Sequence, residues 1–158
     1  MDIYDYLKMD HDKVAHLFKL FEQSTLESRK REIVALINKE LIVHAHAEQE
    51  IFYRALEKFP ETRDIAQHGE QEHRELEAQL QKINTASQEQ WNTEVLVLKE
   101  LVEHHVKDEE QEMFNQAKSV ISEENALMLK EKVHYLKGIF LQWLSKKEHE
   151  SFEGEGIK

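Results

Sequence analysis

The sequence predicts an all-α protein: an up-down-up-down four-helix bundle with an additional C-terminal fifth helix. Three observations carry this. The 158 residues include only one proline and four glycines, and Glu, Leu, Lys, Gln and Ala, which favour helix, are frequent. Apolar side chains recur at steps of three and four along almost the whole chain, the period of a helix with one buried face. The apolar stripes are interrupted twice by the same polar set. His11 is followed 33 residues later by His44 and then Glu48, and His73 is followed 32 residues later by His105 and then Glu109.

The first helix is read from Tyr4, Leu7, His11, Val14, Phe18 and Phe21, with His11 in mid-stripe. Ser24-Thr-Leu-Glu27 has capping-box spacing and is expected to open the second helix. That helix carries Ile33, Ile37, Leu41, His44, Glu48, Ile51 and Ala55 on its inward face. Phe59-Pro60 breaks the pattern, and proline is tolerated in a first turn. The third helix follows with Ile65, Gly69, His73, Leu76, Leu80 and Ile83. Ser87-Gln-Glu-Gln90 marks a second capping box ahead of the fourth helix, whose stripe is Val95, Leu98, Val102, His105, Glu109 and Met113. Ser122-Glu-Glu suits the start of a fifth helix bearing Leu129, Val133, Leu136, Phe140 and Trp143. Residues 1–149 are thus expected as one bundle, with its core in 1–118 and the fifth helix at about 122–149, followed by a flexible polar tail at 150–158.

Short connections between long helices favour antiparallel neighbours. His11 then lies about 14 residues before the first loop and His44 about 18 after it, while His73 lies about 13 before the third loop and His105 about 14 after it. Both hairpins therefore bring a lone histidine and a His-x-x-x-Glu pair to nearly one height. Residues four apart on a helix stand one above the other. Six costly polar groups would meet inside the bundle, and divalent metal ions would satisfy all of them.

Composition removes other classes. The net charge of −11 argues against nucleic acid and anionic lipid as partners. No cysteine is present, which excludes disulfides, thiolate metal sites and thiol catalysis. Met1-Asp-Ile-Tyr-Asp-Tyr-Leu-Lys is not a secretory leader, and no apolar run approaches the ~18 residues of a membrane span. A soluble cytoplasmic protein is expected, as monomer or homodimer.

The six candidate metal ligands are His11, His44, Glu48, His73, His105 and Glu109. Imidazole and carboxylate without sulfur suit iron, manganese or zinc. The glutamates are placed to bridge two ions and the histidines to cap them. Six ligands leave positions open for water, an oxo or hydroxo bridge, or a diatomic molecule.

His11 in Met-Asp-His, His44-x-x-x-Glu48 followed by Ile-Phe-Tyr, Glu72-His73, and His105-x-x-x-Glu109 ahead of Met-Phe together resemble the hemerythrin-like, or HHE cation-binding, domain over roughly residues 1–118. The resemblance implies a four-helix bundle around a non-heme di-iron centre that binds oxygen or senses oxygen, iron, nitric oxide or oxidants. Oxygen-carrying hemerythrins place His-x-x-x-His on the third helix and His-x-x-x-x-Asp on the fourth. Here Gly69 stands four residues before His73, and Glu109 replaces the aspartate pattern. Sensing, redox or iron-handling chemistry is therefore expected before oxygen transport. Glu70 or Glu77 could add a seventh ligand, and Gly69 could admit an exogenous ligand or simply close packing.

His16, His46, His68, His104, His134 and His149 are expected at the surface or behind the ligands. Asp10, Glu72 and Asp108 could orient an imidazole but are read as a solvated acidic face, and Phe18, Phe21, Phe52, Tyr53 and Phe114 as core. Phe140 and Trp143 are expected to dock the fifth helix. Two functions follow: a di-iron protein engaging oxygen, peroxide or nitric oxide, with catalytic turnover left open, or a non-catalytic regulatory module whose fold is set by metal occupancy (Fe, Zn or Mn).

Overall fold

The structure, a computed structural model, describes residues 1–157 and the side chains of residues 1–149. Five helices follow one another. α1 is Ile3–Gln23. α2 starts as Glu27–Ala47, widens into a π-helical stretch at Glu48–Tyr53 and closes with Arg54–Glu57. α3 is Pro60–Thr85. α4 repeats the plan of α2, with Gln88–Asp108, a π-helical stretch at Glu109–Met113, and Phe114–Lys118. α5 is Glu123–Ile157. The side chains from Glu150 onward and Lys158 altogether lie outside the described residues; the backbone of 150–157, expected as a flexible tail, continues α5 as helix. No helix among the described residues is long and apolar enough to cross a membrane.

Local chemistry sets the helix ends. Asp2 caps α1 by accepting from the Asp5 N–H at 3.0 Å. Ser87 accepts from the Gln90 N–H, and Ser122 from the Asn125 N–H, as the capping patterns predict. Pro60 sits in the first turn of α3. The first expected capping box fails. α2 begins at Glu27 without a side-chain cap, and Ser24 instead ends α1, its N–H bonding the Leu20 and Phe21 carbonyls. The cap position of α2 falls on Leu26, two residues after Ser24, so the serine is not where a capping box needs it.

The core lies in two blocks. One packs Val14, Phe18, Phe21, Ile37, Leu76 and Leu98 near the α1–α2 and α3–α4 loops. The other packs Ile3, Leu7, Phe52, Leu56, Phe114 and Val133 at the opposite end. Between the blocks runs one polar layer, because each ligand candidate interrupts its own stripe at the same level.

α5 packs against α1 and α2. Its anchors are polar as well as aromatic: Tyr6 Oη lies 2.9 Å from His134 Nδ1, and Lys137 Nζ donates to both carboxylate oxygens of Asp10 at 2.8 Å. Phe140 stacks on His46 at 4.6 Å between ring centroids. Trp143 was expected to dock with it but remains 48% exposed and, among the described residues, stacks on Phe140 and under Lys147.

Candidate metal centre

All six sequence-predicted residues meet in the polar layer, and all six are buried. They form two overlapping groups, His11, His44, Glu48 and Glu109 on one side and Glu48, His73, His105 and Glu109 on the other. The glutamates belong to both. Nε2 of His73 lies 3.0 Å from Glu48 Oε1, and Nε2 of His44 lies 3.4 Å from Glu48 Oε2. Nε2 of His11 lies 3.1 Å from Glu109 Oε1, and Nε2 of His105 lies 3.4 Å from Glu109 Oε2.

Those approaches are close in distance but poor in direction. His11 Nε2, His44 Nε2, both oxygens of Glu48 and Glu109 Oε1 are buried without a hydrogen-bond partner. Leaving such a group unpaired costs on the order of 1–3 kcal/mol each. Five orphaned atoms clustered in two overlapping groups therefore ask for cations between them, and a donor set of imidazole and carboxylate fits first-row divalent metal ions.

The outer atoms of the histidines are fixed. Nδ1 of His44 donates to Asp10 at 2.8 Å, Nδ1 of His105 to Glu72 at 3.0 Å, and Nδ1 of His11 to Glu110 at 2.6 Å. A carboxylate only accepts, so each Nδ1 carries a proton and each Nε2 is the atom left to face inward as a ligand. This corrects the reading of Asp10 and Glu72 as solvated: both are buried, while Asp108 faces the outer imidazoles of His104 and His68 and Glu110 stands behind His11 instead. His73 differs, since its Nδ1 has no partner and its ring stacks on Tyr53 at 5.0 Å.

Electrostatics agree with a site built for positive charge. Burial opposes charging of His44, but Glu48 and Asp10 overcome it and raise its pKa to about 10. Burial likewise opposes protonation of His11 and His105, and neighbouring carboxylates raise both. Burial pushes Glu48 up, yet the imidazoles around it hold it well below the usual carboxylate range. Without a metal ion, protons take the place of the cations.

Tyr53, read from the sequence as core, is also part of the site. Its hydroxyl donates to Glu109 Oε2 at 2.5 Å and lies 3.4 Å from His73 Nε2 and 3.5 Å from His105 Nε2. Burial and the charges of Glu109 and Glu48 raise its pKa well above the phenol value, so it is a neutral donor here. The wide turn explains its position. On a regular α-helix Tyr53 would stand roughly 140° around from Glu48. In a π-helical turn, residues five apart come nearly into line.

Phe114 holds the same place five residues after Glu109 and stacks on His11 at 6.5 Å. Aligning the two halves of the sequence pairs Tyr53 with Phe114, the one signal that could have singled out the hydroxyl. Gly69 makes the room: a Cβ there would stand 2.8 Å from the Tyr53 ring and from Met113 Cε. The glycine therefore admits the tyrosine ring, not an exogenous ligand. Glu70 and Glu77 do not join the site. Glu70 pairs with Glu57, which raises its pKa to about 7, and Glu77 is exposed.

The profile of the Hemerythrin HHE cation binding domain matches residues 2–117. The chain belongs to this family. Among solved structures, a hemerythrin HHE cation binding domain-containing protein from Mycobacterium kansasii superposes with a TM-score of 0.80 at 22% identity, over 93% of this chain and 94% of that one. It shares the fold, fifth helix included. A DNA nickase from Nostoc sp. is 32% identical over 127 residues, 78% of this chain. The hemerythrin-like chain spans only 36% of that protein's length.

Proposed function

We propose that this hemerythrin-like chain holds two iron ions between His11, His44, Glu48, His73, His105 and Glu109 and uses them to bind or sense dioxygen, peroxide or nitric oxide. The observation that carries the reading is the set of five unpartnered buried atoms, whose two carboxylates, Glu48 and Glu109, are shared by both groups of ligands. Bound iron would supply reversible one-electron chemistry and open positions for a small ligand.

The chain's own residues set what can approach. A cavity of about 20 Å³ touches His11, His44, His73 and His105 and is otherwise lined largely by apolar side chains, among them Val14, Leu41, Leu76 and Val102. It is large enough for one very small molecule and lined so as to keep out water clusters and bulky anions. A wider cleft of about 310 Å³ between α1 and α4 reaches His11 and Glu110 from outside, giving a short path to the same imidazole. Asp10, Glu72 and Glu110 hold three histidines in the ligating tautomer, and Tyr53 keeps a proton on the opposite side, at Glu109. Zinc or manganese fits the same donors, so the metal needs direct measurement. The net charge of −11 disfavours nucleic acid as a partner, and nicking is not part of this reading.

The experiment is metal analysis and visible spectroscopy of the chain produced with ample iron, followed by reduction and exposure to each of the three small molecules. About two irons per chain and a spectral change with at least one of them are expected. Iron-loaded protein that stays spectroscopically silent toward all three would refute the proposal.

A further inference from the structure

Outside the buried centre, α3 and α4 present a second cluster of metal-ligating side chains. His68 and Glu72 stand four apart on α3, and His104 and Asp108 four apart on α4. This is the same His-x-x-x-carboxylate spacing as in the core, turned toward solvent. We infer that His68, Glu72, His104 and Asp108 form an external site for a divalent first-row metal ion of the zinc type.

His68, Glu72 and Asp108 bring ligand atoms within 4.8 Å of one another, and His104 approaches the same two carboxylates from α4. His104 Nε2 lies 3.2 Å from Asp108 Oδ2 and 3.6 Å from Glu72 Oε2. His68 Nε2 lies 3.8 Å from Glu72 Oε2 and 3.9 Å from Asp108 Oδ2. Zinc–nitrogen and zinc–oxygen bonds of about 2.0–2.2 Å place the corners of a tetrahedron roughly 3.3–3.6 Å apart. Most of these separations exceed a good hydrogen bond, for which about 2.7–3.2 Å is needed. For these four nitrogen–oxygen pairs the adjustment is a few tenths of an ångström, and the two imidazoles must also swing toward each other to share the ion. The imidazole side chains, 61% and 68% exposed, can make it by rotating.

Charge points the same way. Glu72 and Asp108 bring oxygens within 4.8 Å of each other, yet among the described residues no lysine or arginine pairs with either. Their ion-pair partners are the histidines alone. Two carboxylates and two neutral imidazoles balance a dication exactly in charge and offer it four ligands. Glu72 also has one oxygen for each site: Oε1 accepts from His105 Nδ1 at 3.0 Å, while Oε2 faces His68 and His104. The external ion would therefore sit one carboxylate away from the buried centre. This inference does not depend on which metal fills that centre.

The test is equilibrium dialysis of the full chain against micromolar zinc, with metal analysis, for the wild type and for His68→Ala/His104→Ala. Both positions are exposed, and circular dichroism checks that the variant folds. The wild type is expected to hold one more zinc per chain than the variant, whatever exchanges into the core, which is intact in both. Asp108→Asn should lose the same ion, and His16→Ala, at another exposed histidine, should keep it. Equal zinc content in wild type and double variant, or loss of the ion in His16→Ala as well, overturns the site.

Discussion

Replacing Gly69 by alanine puts the placement of Tyr53 to a quantitative test. Taken alone, the change should stabilise α3, because alanine is favoured over glycine in a helix interior by about 0.8–1.0 kcal/mol. The surroundings decide otherwise. The new Cβ would lie 2.8 Å from Cε2 and Cζ of Tyr53 and from Cε of Met113, where ordinary contact begins at 3.4 Å. Met113 can yield, since its Cε is the end of a flexible chain. The Tyr53 ring is fully buried, stacked on His73 and tied to Glu109. Overpacking of this kind costs roughly 1–3 kcal/mol. The net expectation is a loss of about 1 kcal/mol, a fall in Tm of roughly 3 °C for a chain of this size. Displacing the ring should also move its hydroxyl from Glu109, so the visible spectrum of the metal-loaded protein should change with it. Thermal melts and spectra of wild type and Gly69→Ala give both readouts. A variant that melts higher by the helix-propensity gain and keeps its spectrum would show that the ring does not rest against Gly69, and the account of Tyr53 would fail.

Tyr53→Phe keeps the packing but leaves buried Glu109 without its donor, so a loss of about 1–3 kcal/mol in denaturant unfolding and an altered spectrum are expected; an indistinguishable variant would remove Tyr53 from the site. Asp10→Asn loosens His44 and the Lys137 tether of α5 together, and metal affinity measured by chelator competition should drop roughly 10–100-fold. Removing the metal should lower Tm on the order of 10 °C, since the buried ligands are then partnered only by protons, and an apo protein melting with the holo protein contradicts this. Because His44 binds its proton up to about pH 10 without metal, the ion must displace protons, and apparent affinity should rise between pH 6 and 8. Glu70→Gln should stabilise at pH 8 by less than about 1 kcal/mol, given the exposure of the pair, and change little at pH 5. The raised pKa of about 7 means folding favours the protonated acid, a contribution present at low pH and lost as pH rises through 7, which glutamine retains. A gain as large at pH 5 as at pH 8 would exclude the Glu57 pairing as its cause.

The two halves of the centre are alike in plan and unlike in one atom. Each has a His-x-x-x-Glu pair, a π-helical turn beginning at the glutamate, and an aromatic ring five residues on that stacks against a histidine from another helix. On the His73 side that ring carries a hydroxyl within reach of Glu109; on the His11 side Phe114 carries none. His11 has Glu110 behind it, whereas His73 has no acceptor at Nδ1. Two metal ions bound here would therefore meet different surroundings, a basis for unequal ligand binding at the two positions.

The sequence by itself determined the helices, their order and the meeting of six polar residues, because those depend on periodicity. His11, His44, Glu48, His73, His105 and Glu109 each fall on an apolar stripe at a predictable height, and a helix carries that information from residue to residue. What surrounds them was decided by tertiary structure. Asp10, Glu72 and Glu110 look like any acidic helix face until a neighbouring helix puts an imidazole against them. The same holds for Lys137, whose contact with Asp10 spans 127 residues. Tyr53 depends on a π-helical turn that no 3.6-residue period foretells, and on a glycine from another helix that leaves space for its ring. Periodicity is local and legible; the partner of a side chain is set by packing, and packing exists only once the helices have met.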